Sequence, residues 1–428
     1  MKKKINFINL FCVSYLGLSI FVLIFAALRF FGNFHGKGDF YFKLLIISMI
    51  ITFLWFLVLF LKKKFKEIII VTVTSILFAL YSAEIFININ SFSKNKNISD
   101  SKFKKFKELK SENVSIAYSG LIENEPFFTM GGVSNTKTIL CNETGKWSMY
   151  KSDRYGFNNP DKEWEKPSSG YLIIGGSFAH GGCVDEGQDL TSHIRNLSGE
   201  KAINLGFIGN GPIKNLATLR EYINFIKPKK VFWLHYEGNA LYNLKKEMNN
   251  KFLSKYLETE YSQNLITKQN DIDFGLIKKS IEYEKIYEEW HGHSTMKFNK
   301  SKLIEILKIS EVRNILGLSA FWEVKLDGNF EKTIQKAKKQ AELVNADFYF
   351  VYLPSFVRIN QFFPKDNLFD KENLIKILNR INIKTIDLDK EFFKKAEDPL
   401  NYFNNRKYGH YTAEAYKKIA KKLLLIRD

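Results

Sequence analysis

The stretch Tyr171-Leu-Ile-Ile-Gly-Gly-Ser-Phe-Ala-His-Gly181 decides the reading of this chain. A short apolar run ends in two glycines and a serine. A buried parallel strand delivers a serine to the carboxyl edge of a sheet in this way, and the glycines allow a sharp turn and the close approach of a substrate. A serine there is a candidate nucleophile, provided that a histidine elsewhere takes its proton. The chain supplies one near its other end, in Tyr408-Gly-His-Tyr-Thr-Ala-Glu-Ala-Tyr416.

Working outward, four more β-rich runs follow at intervals filled by helical patterns. The expected strands are 171–174, 202–205, 231–235, 348–353 and 385–388. Strands that alternate with helices imply a parallel sheet with right-handed crossovers. Residues 212–226 read as a helix that starts on Pro212, and 412–425 as a closing amphipathic helix capped by Thr412. The fold class expected is α/β: a three-layer α/β/α sandwich around a five-stranded parallel sheet. Residues 241–330 are rich in charged, helix-favouring types and read as an inserted helical subdomain, serving as a lid or a partner surface.

The first 90 residues differ in kind. Residues 7–28, 44–61 and 68–83 carry no charge, and about 20 apolar residues suffice to cross a bilayer as a helix. Three spans are expected. A cleaved signal peptide is disfavoured by the two later runs and by the lack of a small-residue cleavage site. Lys2 to Lys4 and the cluster Lys62-Lys-Lys-Phe-Lys66 place the N-terminus and the second loop in the cytoplasm. The rest of the chain would then be extracytoplasmic, against the pull of the lysines between 94 and 110. The expected organisation is a membrane anchor at 1–91, a polar tether or charged membrane-proximal helix at 92–115, and a catalytic domain at 116–428.

The net charge of +19 raises a nucleic-acid partner. The lysines are scattered, however, and no basic patch with stacking aromatics accompanies them, so none is expected. Of three cysteines, Cys12 lies in the first apolar run. Cys141 and Cys183 are either two free thiols or, outside the cytoplasm, a disulfide. His291-Gly-His293 lacks the cysteines or carboxylates of a metal cage and reads as a solvated loop.

In an open parallel sheet, ligands bind beyond the carboxyl ends of the strands. The first strand ends on Ser177. The second leads into the glycine-dense Asn204-Leu-Gly-Phe-Ile-Gly-Asn-Gly-Pro212, the third into Tyr236-Glu-Gly-Asn-Ala240, and the last loop carries His410. These four blocks, in this order, resemble those of the SGNH (GDSL-type) hydrolase superfamily over about residues 165–425. The likeness is to membrane-anchored members in bacterial surface-polysaccharide settings. It implies Ser177 as nucleophile, Gly209 N–H and the Asn239 amide as oxyanion donors beside the serine N–H, and His410 as general base. Gly206 and Gly211 are close rivals to Gly209.

The activity implied is a serine esterase acting on acyl groups of envelope glycans or lipids, with an acyltransferase or a catalytically inert binding module as alternatives. No metal or organic cofactor is called for. The chain departs from the family pattern at Gly176, Ala240 and Lys407, where acids are usual. The last of these normally orients the histidine. Asp398 or a backbone carbonyl is the expected substitute. His180 lies beside the serine without an assigned role. Arg154-Tyr-Gly-Phe-Asn-Asn-Pro160 also resembles a segment of these relatives, either substrate-facing or a structural turn.

Overall fold

The computed structural model describes residues 7–32, 38–122, 127–167, 170–291, 300–316, 326–360, 368–406 and 409–426. The chain divides into two compact units, one of residues 1–95 with 296–325 and one of 96–295 with 326–428.

The first unit holds the three expected apolar helices: Phe7–Phe31, Gly38–Val58 and Lys63–Glu108. Their apolar stretches Phe7–Phe31, Tyr41–Val58 and Lys63–Ile89 have mean hydropathies of 2.4, 2.2 and 2.1 and are long enough to cross a membrane. Tyr15 stacks on Trp55 with ring centres 4.7 Å apart, and Cys12 is buried beside Trp55 and Val58. Large side chains such as Phe21, Leu28 and Phe78 point outward, as lipid contact requires. The third helix does not stop at the membrane boundary. It runs on through the lysine-rich stretch, the charged helix of the two forms expected there rather than the polar tether, because no Gly or Pro interrupts it before Glu108.

The second unit opens with a small sheet that the sequence patterns did not reveal. Its strands are β1 (Val114–Ile116), β2 (Lys137–Cys141) and β3 (Ser148–Lys151). β1 and β2 run parallel, and β2 and β3 antiparallel. The large sheet follows with β4 (Tyr171–Gly175), β5 (Ala202–Asn204), β6 (Lys230–Tyr236), β7 (Asp347–Leu353) and β8 (Lys384–Asp387). All its pairs are parallel, in the order β5-β4-β6-β7-β8.

The two-residue side-chain period of a strand sorts the core into two layers. Ile173, Phe232, Leu234, Val351 and Ile386 face a cluster with the helices Leu190–Ser198 and Ala413–Leu424. On the other face His235 meets Phe330 and Phe350, and the helices Pro212–Ile226 and Gly328–Glu342 cover it. The α/β/α sandwich is therefore the fold. The register aligns Gly175 with Leu234 and Tyr236 with Leu353, so the carboxyl ends of β4, β6 and β7 share one edge.

Between β6 and β7 the insertion is helical: Ala240–Met248, Leu253–Glu258, Gln269–His291, Lys300–Leu307 and Ser310–Ile315. Its early part braces the core. The Glu221 carboxylate accepts hydrogen bonds from the Tyr256 hydroxyl and the backbone of Gln263 and Leu265. Residues 296–325 fall instead within the unit of the apolar helices.

Candidate active site

Ser177 begins a single helical turn, Ser177–His180, at the end of β4. Gly181 closes that turn at φ +89°, a conformation that favours glycine. His410 arrives from the far end of the chain on the loop before the helix Ala413–Leu424. Thr412 caps that helix by accepting the N–H of Ala415, and the buried Tyr411 is tied by its hydroxyl to the Pro354 carbonyl, 2.6 Å away. The imidazole Nε2 lies 2.8 Å from the Ser177 Oγ, across 233 residues of sequence.

The other imidazole nitrogen finds an acid that the sequence reading missed. His410 Nδ1 lies 2.7 Å from Glu143 Oε1, and Glu143 Oε2 accepts the His410 backbone N–H at 2.8 Å and the Asn404 amide at 3.2 Å. Asp398, the expected substitute, is elsewhere: its carboxylate pairs with Arg406 and caps the N–H of Leu400. A backbone carbonyl is not needed either. Lys407 lies outside the described residues. Burial works against ionising Glu143, yet the hydrogen bonds and charge of His410 hold its carboxyl below the ordinary 4.5.

Two glycines make room for this chain of contacts. A Cβ at Gly182 would sit 2.5 Å from His410 Cδ2 and 2.7 Å from Nε2, and one at Gly409 would sit 2.6 Å from Glu143 Oε2. Cys141 and Cys183 form a disulfide with Cα atoms 5.4 Å apart. It ties the end of β2, two residues before Glu143, to the turn after Ser177. The two sulfurs and a His410 ring nitrogen lie within 4.8 Å of one another, but the sulfurs are bonded together and are not thiolate ligands. His291 ends a helix, and His293 is outside the described residues.

The three glycines of the loop after β5 differ in what their N–H groups meet. The Gly206 N–H is taken by Asn204 Oδ1 at 2.8 Å and the Gly211 N–H by Glu247 Oε1 at 2.6 Å. Gly206 also packs so tightly that a Cβ would lie 2.4 Å from that of Ala179. Gly209 stands at the loop tip at φ +81°, exposed, its N–H bonded to nothing among the described residues. Asn239 precedes the helix Ala240–Met248, and its side chain is exposed and makes no capping bond.

Residues left without a role by their pattern prove to be braces. His180 is fully buried. Its Nδ1 accepts the Ile208 N–H at 3.1 Å, so the proton sits on Nε2 and faces the Tyr150 hydroxyl 2.8 Å away. It thus links β3 to the glycine loop. Arg154-Tyr-Gly-Phe-Asn-Asn-Pro160 is a structural turn built on Asp153, whose carboxylate accepts the N–H groups of Tyr155 and Phe157, the Asn159 amide and the Trp164 indole. The Asn158 amide holds the His180 carbonyl at 3.0 Å, and Asn159 pairs with the backbone of Asn204.

Ser177 opens on a cleft of about 300 Å³, counting its part open to solvent, whose lining includes Asn210, Trp233, His235, Tyr236 and Asn239. Among its lining residues, both amide atoms of Asn210, Oδ1 of Asn215 and Nδ1 of His235 are buried with no hydrogen-bond partner among the described residues. Burial pushes His235 down to about 3, so that imidazole is neutral. Neither Asn210 nor Asn215 carried a signal in the sequence beyond its place, Asn210 next to Gly209 and Asn215 in the first turn of the helix Pro212–Ile226.

No protein-family model matches the chain, and no curated protein is similar to it. Among solved structures, a chain from Desulfitobacterium hafniense DCB-2 assigned to the G-D-S-L lipolytic family is similar at 12% identity and a TM-score of 0.33, over 60% of this chain and 98% of that one.

Proposed function

We propose that the chain is a membrane-anchored serine esterase of the SGNH type, acting on ester-linked acyl groups of envelope glycans or lipids. The observation that carries this reading is the continuous hydrogen-bonded line Ser177–His410–Glu143 at the carboxyl edge of a parallel sheet. Ser177 Oγ attacks the ester carbonyl while His410 Nε2 takes its proton. Glu143 holds the Nδ1 proton in place and stabilises the imidazolium that forms. The N–H groups of Ser177 and Gly209 and the Asn239 amide receive the oxyanion, and losing one such donor typically costs about 100- to 1000-fold in rate. His410 then protonates the departing alcohol, and the acyl-enzyme passes its acyl group to water or to a sugar hydroxyl.

The departures from the family pattern lose their force as an argument for an inert module, since Glu143 occupies the place of the orienting acid. The lining residues Asn210, Asn215 and Asn239 make the cleft polar, which favours a short or hydroxylated acyl group over a long hydrocarbon chain. The disulfide agrees with a domain on the extracytoplasmic side of the membrane. The test is hydrolysis of p-nitrophenyl acetate, butyrate and octanoate by the detergent-solubilised full chain, beside Ser177→Ala and His410→Ala. The expected result is turnover of the short esters that both variants abolish. Equal activity in Ser177→Ala would overturn the reading.

A further inference from the structure

The third apolar helix carries an acid inside its membrane-length stretch. Glu84 lies within Lys63–Ile89 and is fully buried. Ionisable side chains are rare in spans and ordinarily face a partner. The partner here comes from the insertion between β6 and β7. Glu84 Oε1 accepts the Glu311 N–H at 3.1 Å and Oε2 the Val312 N–H at 2.9 Å, at the start of the helix Ser310–Ile315. Asn88, one turn along, donates its amide to Glu84 Oε1 at 2.9 Å, and the Tyr81 hydroxyl donates to the Leu307 carbonyl at 3.0 Å. Tyr81, Glu84 and Asn88 are spaced by three and four residues, which sets them on one helix face. That face is a built seat for residues 307–312.

The segment held there exposes Leu303, Ile304, Leu307, Ile315 and Leu316, between 40% and 65% of each. Charged Glu305, Lys308, Glu311 and Arg313 alternate with them. Glu84 sits five residues before the end of the span at Ile89, about 7.5 Å along the axis at 1.5 Å per residue. Amphipathic helices rest at that depth, about 5–10 Å into the boundary between headgroups and acyl chains. We propose that residues 300–316 form a fourth membrane-contacting element, an interfacial helical pair seated on Glu84 with its leucines and isoleucines in the lipid. The span it rests on also exposes apolar side chains near Glu84, among them Ile85, Phe86 and Ile89, so the bilayer is the occupant. The segment read from sequence as part of a lid or partner surface is a membrane foot. This inference rests on the membrane reading of the apolar helices and is independent of the esterase chemistry.

The experiment uses the full chain in lipid nanodiscs, with Cys12→Ser removing the free thiol. Single cysteines at Leu307→Cys and Ile315→Cys, and at Ile76→Cys within the third span, are labelled with an environment-sensitive fluorophore. Quenching by lipids brominated on the acyl chain is then compared with modification of the unlabelled cysteines by a water-soluble maleimide. The expected result is lipid quenching at all three sites and modification at positions 307 and 315 slowed at least tenfold relative to an exposed site such as Thr144→Cys. Adding Glu84→Ala should release 307 and 315 from quenching and leave 76 unchanged. Quenching at 76 without quenching at 307 and 315 overturns the inference, whether those sites prove open to water or shielded by a protein. No quenching at 76 removes the membrane reading and the inference with it.

Discussion

Replacing Glu143 by Ala is the substitution on which the assignment of the site turns. The carboxylate holds His410 at two points, Nδ1 at 2.7 Å and the backbone N–H at 2.8 Å. When the serine proton reaches Nε2, the imidazole becomes a cation beside the Glu143 anion. At about 4 Å and an effective dielectric of about 20, that attraction is on the order of 4 kcal/mol. The side chains of His410 and Glu143 are 18% and 26% exposed, so water recovers part of it. A net loss of about 3 kcal/mol corresponds to a fall of about 100-fold in the acylation rate. Glu143→Gln should fall as far, since an amide can keep the shape but not the charge. Asp398→Asn should stay within about twofold of wild type, because Asp398 is engaged with Arg406 and not with the imidazole. The assay is the rate of Ser177 labelling by a fluorophosphonate, with thermal melting to show that each variant is folded. A folded Glu143→Ala that labels at the wild-type rate, or an Asp398→Asn that loses about 100-fold, would refute the reasoning.

Three further outcomes follow from the same geometry. Gly182→Ala places a methyl 2.5 Å from His410 Cδ2 and should push the ring off Ser177, lowering kcat by about 10- to 100-fold with little change in melting temperature; steady-state kinetics on p-nitrophenyl acetate reads it. Cys141→Ser with Cys183→Ser opens a loop of 42 residues, for which the chain-entropy relation gives about 4 kcal/mol of lost stability, measurable by denaturant unfolding of the detergent-solubilised protein. Glu143 has its folded pKa held below its unfolded value near 4.5, so its contribution to stability is present above that pH and is lost as the pH falls through the lower, folded value. The melting-temperature gap between wild type and Glu143→Gln should therefore hold from pH 7 to pH 5 and close below pH 4.5.

The elements legible in the sequence are those whose signal is local. Each strand of the large sheet is a short apolar or β-branched run, the first four followed by a loop with Gly, Asn or Pro, and the expected bounds fall within a residue of the observed ones, as for 171–174 against Tyr171–Gly175. Ser177 and His410 stand beside glycines in chain-order blocks, and the structure brings them together. Glu143 had no such mark: it lies in an irregular turn, 267 residues from the histidine it holds. Its one clue was Cys141, two positions upstream, whose pairing with Cys183 delivers that turn to the serine. β1 and β3, with three and four residues, are too short for alternation to stand out. The lysines of 94–110 left a polar tether and a charged membrane-proximal helix both open, and the structure continues the helix, which no Gly or Pro interrupts. In residues 300–316 the apolar positions were visible, but their partner, Glu84, lies more than 200 residues away.

The small sheet changes what can be cut from this protein and still work. A fragment that starts at Tyr171 would hold the whole large sheet, the serine and the histidine, and would look like a complete hydrolase cassette. It would lack Glu143 and Tyr150, and with them the grip on His410 and the prop under the glycine loop. The working boundary lies upstream of Val114, where the strand β1 pairs with β2. A graft of this chain cut at the first strand of the large sheet would therefore carry Ser177 and His410 and leave Glu143 behind.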